Sequence, residues 1–220
     1  MHAKAAAAAA APSRVPHVMS GSQANAAVSP PQYAGVDVGG ARKGFDVAVV
    51  DDERLVALRG GLRRDEVVAL VAATRPRLVG IDSPRACAPD GERSRPDERA
   101  FARAGICGIR FTPDEAQVRS GNPYYAWIVE GLALYEALAR FEVVEVFPTA
   151  SWTRWHGPRA GRSRAAWSAE ALSARDLPGV PARTSQDARD AIGAALTARA
   201  HARGETDRFG AIVVPTAARG

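Results

Sequence analysis

Five acidic residues stand where acids are costly. Asp37 interrupts the apolar run Tyr33-Ala34-Gly35-Val36-Asp37-Val38, and Asp82 ends a second run that stops at Asp82-Ser83-Pro84. Glu145 lies within Val143-Val144-Glu145-Val146-Phe147-Pro148, and Asp187 and Asp190 are three residues apart near the start of an alanine-rich stretch. A carboxylate beside an apolar core needs a partner. Several that converge repel one another, and a divalent cation is the usual remedy. A site of oxygen ligands alone favours Mg²⁺ or Mn²⁺ over zinc. Two such ions about 4 Å apart activate a water and stabilise a leaving oxygen, which suits phosphodiester hydrolysis without a histidine base. Asp37, Asp82 and Asp190 are the expected metal ligands. Glu145 and Asp187 complete the candidate catalytic set.

Each acid also has a plainer use. Asp37 could pair with Arg42 or Lys43 in the following turn. Asp82 could cap the chain as it leaves its strand. Thr184-x-x-Asp187 has the spacing of a capping box, and an acid in a first helical turn suits the helix dipole. Asp190 lies a turn deeper, beside Ala188, Ala191, Ile192 and Ala195, where capping explains it less well. Alternation puts Glu145 on one strand face with Val143 and Phe147. That face either meets the acidic cleft or brings Glu145 to an arginine, and a supporting role as second metal ligand or network partner is expected.

The elements that must position these residues follow from hydrophobic period and turn signals. Residues 33–38, 45–50 and 54–59 read as three strands of a meander, with Gly39-Gly40, Lys43-Gly44 and Gly60-Gly61 as punctuation. Residues 64–74 carry a helical stripe, 77–81 a buried strand, 123–140 a helix opened by proline, 141–147 a strand, and 185–202 a last long helix. A short strand over 211–214 is also possible. Residues 85–122 read as irregular with a short helix near 96–103, and 149–182 as a mixture of Trp, Arg, Pro and Gly. A meander followed by crossovers gives an α/β fold: a mixed five-stranded sheet flanked by helices. That element order is the one of the RNase H fold. In it the first and fourth strands are neighbours, so Asp37 and Asp82 meet at one sheet edge, and the last helix carries Asp187 and Asp190 across it.

Length and composition fit one globular domain. The chain has 220 residues and 46% hydrophobic residues, enough core to need no metal or disulfide staple. Residues 32–216 are the expected domain, and residues 1–31 read as a disordered leader rich in Ala, Pro and Ser. Cys87 and Cys107 lie in no ligand pattern and read as structural, in a reduced, cytoplasmic setting. No run is long and apolar enough for a membrane span. The net charge is +5, and Lys4 and Lys43 are the only lysines, so the positive charge is almost all arginine. That suits a nucleic-acid partner, DNA or RNA, and equally the arginine usage of a GC-rich genome. Trp152, Arg154, Trp155, Arg159, Arg162, Arg164 and Trp167 interleave bases and aromatics, as phosphate contact and base stacking require. The alternative favoured here is that the tryptophans pack on the core. Arg93, Arg95, Arg99 and Arg103 either close over the cleft or decorate a surface helix.

The chain resembles a family of inferred RNase H-fold nucleases known as domain of unknown function 429. The matching pieces are Gly35-Val36-Asp37…Lys43-Gly44-Phe45, Gly80-Ile81-Asp82-Ser83-Pro84, Val144-Glu145-Val146-Phe147-Pro148, Asp187-Ala188-Arg189-Asp190-Ala191 and Ile212-Val213-Val214-Pro215, in that order over residues 34–215. The resemblance implies Asp37, Asp82, Glu145 and Asp190 as the acids of the site, with Asp187 as a possible extra. The chain is also distantly similar to Holliday-junction resolvases, whose last helix carries two acids three residues apart. The expected function is a metal-dependent nuclease. The alternatives are a non-catalytic nucleic-acid-binding protein of the same fold and an actin-like nucleotide phosphotransferase.

Overall fold

The structure is a computed structural model that describes residues 30–40 and 42–217. The expected leader, apart from Pro30 and Pro31, lies outside the described residues. Three antiparallel strands open the chain: β1 (Tyr33–Val38), β2 (Phe45–Val50) and β3 (Leu55–Leu62). Helix α1 (Arg64–Thr74) leads to β4 (Leu78–Asp82), which lies parallel to β1. Helices α2 (Pro96–Arg103) and α3 (Glu115–Val118) sit in the following arginine-rich segment. A 3₁₀ turn at Pro123–Tyr125 runs into α4 (Ala126–Ala137) and then β5 (Val143–Val146), parallel to β4. Next come α5 (Pro148–His156), α6 (Arg164–Ser173) and α7 (Gln186–Ala202). The hairpin β6 (Thr206–Phe209) and β7 (Ile212–Pro215) closes the fold, with β7 parallel to β5.

The strand order is β3-β2-β1-β4-β5-β7-β6. Its first five members, with only β2 reversed, have the order of the RNase H-like fold, as expected. The sheet has seven strands rather than the expected five. Strand β6 escapes sequence reading because it is a short edge strand, only partly buried, and so lacks the apolar alternation that marks a half-buried one. Strand β3 runs on through Gly60 and Gly61, which bulge opposite Asp46 instead of ending the strand, the Gly61 amide donating to the Asp46 carboxylate.

Alternation divides the core between the two sheet faces. Ala34, Val36, Val38, Val47, Val49, Val79 and Ile81 pack against Val67 and Val71 of α1 and Leu134 and Leu138 at α4. Tyr33, Ala48, Val50, Leu78, Val144 and Val146 face α7, Trp152 of α5 and Trp167 of α6. Both tryptophans are fully buried, so the aromatic run packs on the core. The stretch 149–182, read from the sequence only as a mixture of Trp, Arg, Pro and Gly, holds most of α5 and all of α6. Pro148 occupies the first turn of α5, and Ser163 caps α6 by accepting from the Ala166 amide at 3.1 Å.

Helix α7 lies unusually close to the sheet. Gly35 of β1 and Gly80 of β4 are register partners, and together they form a notch under the helix backbone. A Cβ at Gly35 would stand 2.0 Å from the Ala195 amide nitrogen, and one at Gly80 would stand 2.6 Å from the Ala194 carbonyl oxygen. Ala188, Ala191, Ala194, Ala195 and Ala198 supply the small face that such an approach needs. Two residues beyond each glycine, on the same face, stand Asp37 and Asp82.

Candidate active site

The site begins as a row of carboxylates across three strands. Asp37 is the register partner of Asp46 on β2 and of Asp82 on β4. Adjacent strands lie about 4.8 Å apart, so paired side chains on one face are in contact range. Asp46 accepts a hydrogen bond from the Gly61 amide at 3.2 Å. Among the described residues, Asp37 and Asp82 have neither a hydrogen-bond donor nor an ion-pair partner. The plainer readings of both, pairing with Arg42 or Lys43 and capping the strand exit, are not what these side chains do.

Helix α7 adds two more acids from above. Asp190 is almost fully buried and is held by Arg164 Nη2 at 2.9 Å and by Gln186 Nε2, 3.0 Å from each of its oxygens. Gln186 is itself oriented, because its Oε1 accepts from Ser168 Oγ at 3.0 Å and Arg189 Nη2 at 3.3 Å. Asp187 pairs with Lys43 Nζ at 2.6 Å. The helix cap is Ser185, which accepts from the Ala188 amide at 3.0 Å. The cap thus sits one residue later than Thr184-x-x-Asp187 suggests. Asp187 is freed from capping and faces the Gly39–Gly44 turn.

Charge accumulates where these acids meet. Burial, then the charges of Asp190 and Asp187, pushes the Asp37 carboxyl up from 3.8 to about 8. Burial and the charges of Asp37 and Asp190 raise Asp82 well above the usual range. Asp190 is also raised by burial, against the opposing pull of Arg164 and Gln186, and Asp46 is raised mainly by burial. The Asp187 hydrogen bond, with the surrounding acids, raises Lys43. Near neutrality the crowding is therefore relieved by protons held on Asp37 and Asp82 rather than by the site's own cations.

Glu145 belongs to a separate network. Its register partner is Ile81, which places it on the sheet face opposite Asp37 and Asp82. There it takes both terminal nitrogens of Arg95, one at 2.8 Å, and the Arg85 amide at 2.9 Å. Arg95 Nε also donates to Glu98 Oε1 at 3.0 Å, and Glu98 accepts from the Thr112 amide. Arg95, Glu98 and Glu145 are all buried. Glu145 thus has the arginine partner that one sequence reading expects, and it also lines the cleft named by the other. Of the four arginines near α2, Arg95 turns inward while Arg99 pairs with Glu92 at 2.7 Å on the surface.

An open cleft of about 830 Å³ contains both groups. Its walls include Asp37, Asp82, Asp187, Asp190, Lys43, Arg95, Arg110, Trp127, Glu145, Arg159 and Arg164. Cys107 also lines it, with its thiol pushed up by burial to about 11, which makes it no nucleophile near neutrality. Sequence reading missed Asp46, although an acid in the apolar run Phe45–Val50 is the same signal that marks Asp37. It also missed the Gln186 and Arg164 contacts to Asp190, which no spacing encodes.

The donor types suit a divalent cation, which would displace the protons that the raised carboxyls hold. As the side chains stand, no group of three or more His, Cys, Asp or Glu among the described residues is arranged to hold a metal ion. The oxygens of Asp190 are engaged by Arg164 and Gln186.

No known family model matches the chain, and no curated protein matches it either. The likeness to domain of unknown function 429 thus stands on the quoted residues alone. Among solved structures, the chain is similar to Thermus thermophilus RuvC at 16% identity and a TM-score of 0.45, over 79% of this chain and 96% of that one. It is similar to T. thermophilus RuvC in complex with a Holliday junction substrate at 16% identity and a TM-score of 0.47, over the same shares. The strand order carries the fold assignment without them. No helix among the described residues is long and apolar enough to cross a membrane.

Proposed function

We propose that the chain is a metal-dependent nuclease of the RNase H-like class, hydrolysing phosphodiester bonds in the acidic cleft. The observation that carries this reading is the pair Asp37 and Asp82: register partners at the ends of parallel strands, without cationic partners, both with raised carboxyl pKa. Asp37 and Asp82 would hold a divalent ion, Mg²⁺ or Mn²⁺, and Asp190 would join them on leaving Arg164. Such an ion supplies water activation and stabilisation of the departing oxygen. The chain's own groups do the rest. Arg164, released from Asp190, is free to take a phosphate oxygen. Lys43, Arg110 and Arg159 line the same cleft and can hold neighbouring phosphates. Gln186 keeps Asp190 oriented through either state.

The test is cleavage by purified protein, with Mg²⁺ or Mn²⁺, of single strands, duplexes, RNA–DNA hybrids and branched DNA. Cleavage by the wild type, with at least a hundredfold loss in Asp37→Asn and Asp82→Asn, supports the proposal. Equal cleavage by the variants, or none by any protein, overturns it.

One observation favours a second reading, a non-catalytic nucleic-acid binder. Lys43 and Arg164 already engage Asp187 and Asp190, so the cleft can exist without metal. That reading expects salt-sensitive binding that survives neutralising the acids.

A further inference from the structure

Among the described residues, the exposed large hydrophobic side chains are Phe111 and Tyr124, each 50% exposed. Neither lines the acidic cleft, but Phe111 follows Arg110 in the chain and Tyr124 stands three residues before Trp127, and both of those neighbours line it. Arg110 links Tyr124 to it: the residue lines the cleft, and its guanidinium lies 5.8 Å from the centre of the Tyr124 ring and donates to the Tyr124 hydroxyl at 3.0 Å. The Tyr124 ring is fixed from behind by Tyr125, edge to face at 5.0 Å. Asn122 caps the 3₁₀ turn beneath by accepting from the Tyr124 amide at 2.9 Å. Trp127, one turn on, lines the cleft itself.

We infer that Phe111, Tyr124 and Arg110 form a ledge that stacks unpaired nucleobases at the mouth of the cleft. The inference deepens the nuclease reading and rests on it for the orientation of the strand. A half-exposed ring leaves apolar surface in water, and a ring beside an arginine is what a base stacks on. The sugar–phosphate chain then meets Arg110, Arg159 and Lys43 along the cleft, so aromatic and cationic surfaces follow one strand. Bases inside a continuous duplex are already stacked on each other and cannot use the ledge. The substrate class that follows is a strand with unpaired bases beside the scissile bond: single-stranded, looped or branched.

Binding is measured without metal, so that it does not depend on cleavage. The probes are fluorescein-labelled oligothymidylate, oligouridylate, an abasic oligomer and a blunt duplex of equal length. The inference expects the two base-bearing single strands to bind more tightly than the abasic strand and the duplex. Phe111→Ala and Tyr124→Ala should each weaken the base-bearing strands by about tenfold and leave the abasic strand unchanged. Unaltered melting temperatures confirm that these surface variants fold. Equal affinity for all probes, or no effect of either variant, overturns the ledge. So does a change of oligomeric state in the variants, which would make the patch a contact between copies. Wild-type protein that stacks the single strands yet cleaves nothing leaves the ledge standing and overturns the nuclease reading alone.

Discussion

A carboxyl group that keeps its proton until about pH 8 can bind a cation below that pH only by giving the proton up. Asp37 is such a group. Metal affinity should therefore rise with pH through neutrality and level off above about 8, with protons released on binding, as calorimetry in buffers of different ionisation enthalpy will show. The sign for stability is opposite. The folded pKa of Asp37 lies above the unfolded value near 3.8, so the folded state holds the extra proton between them. The stabilisation is complete below the unfolded pKa and is lost as pH rises through the folded one. Metal-free protein should melt lower at pH 9 than at pH 6, and Asp37→Asn should flatten that slope and melt higher than wild type in the presence of chelator. An unchanged slope in the variant would show that Asp37 is not the charge at fault. Arg95 makes the contrasting case, because its charge is already spent on Glu98 and Glu145. Arg95→Ala should destabilise the protein by about 3–5 kcal/mol, since two buried carboxylates lose their cation. Denaturant unfolding measures this directly.

At the scale of elements, the placement of α7 decides the site. Gly35→Ala would put a methyl group inside the helix backbone, with no flexible side chain to give way. Overpacking a core costs about 1–3 kcal/mol where side chains can shift, and Gly35→Ala should exceed that range. Gly80→Ala, with its nearest contact at 2.6 Å, should be milder. Thermal unfolding ranks the two, and Gly35→Ala should also lose metal binding if it folds. Much of this arrangement was legible beforehand. The apolar runs gave β1, β2, β4 and β5 nearly to the residue, and the aspartates that break or end them marked the site edge. The long alanine-rich helix and its Asp190 were legible for the same reason. What escaped reading depended on contacts across the chain. Helices α5 and α6 are short, are separated by a Gly-, Pro- and Arg-rich link, and are held by burial of Trp152 and Trp167. The face taken by Glu145 follows from register with Ile81, which local sequence cannot set. The shift of the α7 cap from Thr184 to Ser185 is a one-residue choice between two good capping side chains.

For the whole molecule, the acids of the cleft sit within a chain of net charge +5. Nucleic acid is drawn by the arginines and repelled by the carboxylates once these ionise, so a cation that neutralises them and the polymer should assist each other's binding. Addition of Mg²⁺ or Mn²⁺ at a hundred times its dissociation constant should add about 2.7 kcal/mol of stability, a rise in melting temperature of roughly 5–11 °C. Asp82→Asn should abolish most of that rise. Affinity for single strands should fall steeply with salt, and the slope should count the arginines and Lys43 that reach phosphate.

The glycine notch has one more consequence. Wherever helices rest on sheets through large side chains, each drift in side-chain volume moves the helix and whatever it carries. Here α7 meets backbone at Gly35 and Gly80, so over β1 and β4 its approach is set by backbone contact as well as by the side chains around it. Substitutions among valines and leucines away from the helix should then alter the gap between Asp190 and the strand aspartates less than a change at either glycine. The notch works as a mechanical stop, and it lets the surrounding sequence diverge widely while the spacing of the acids is kept.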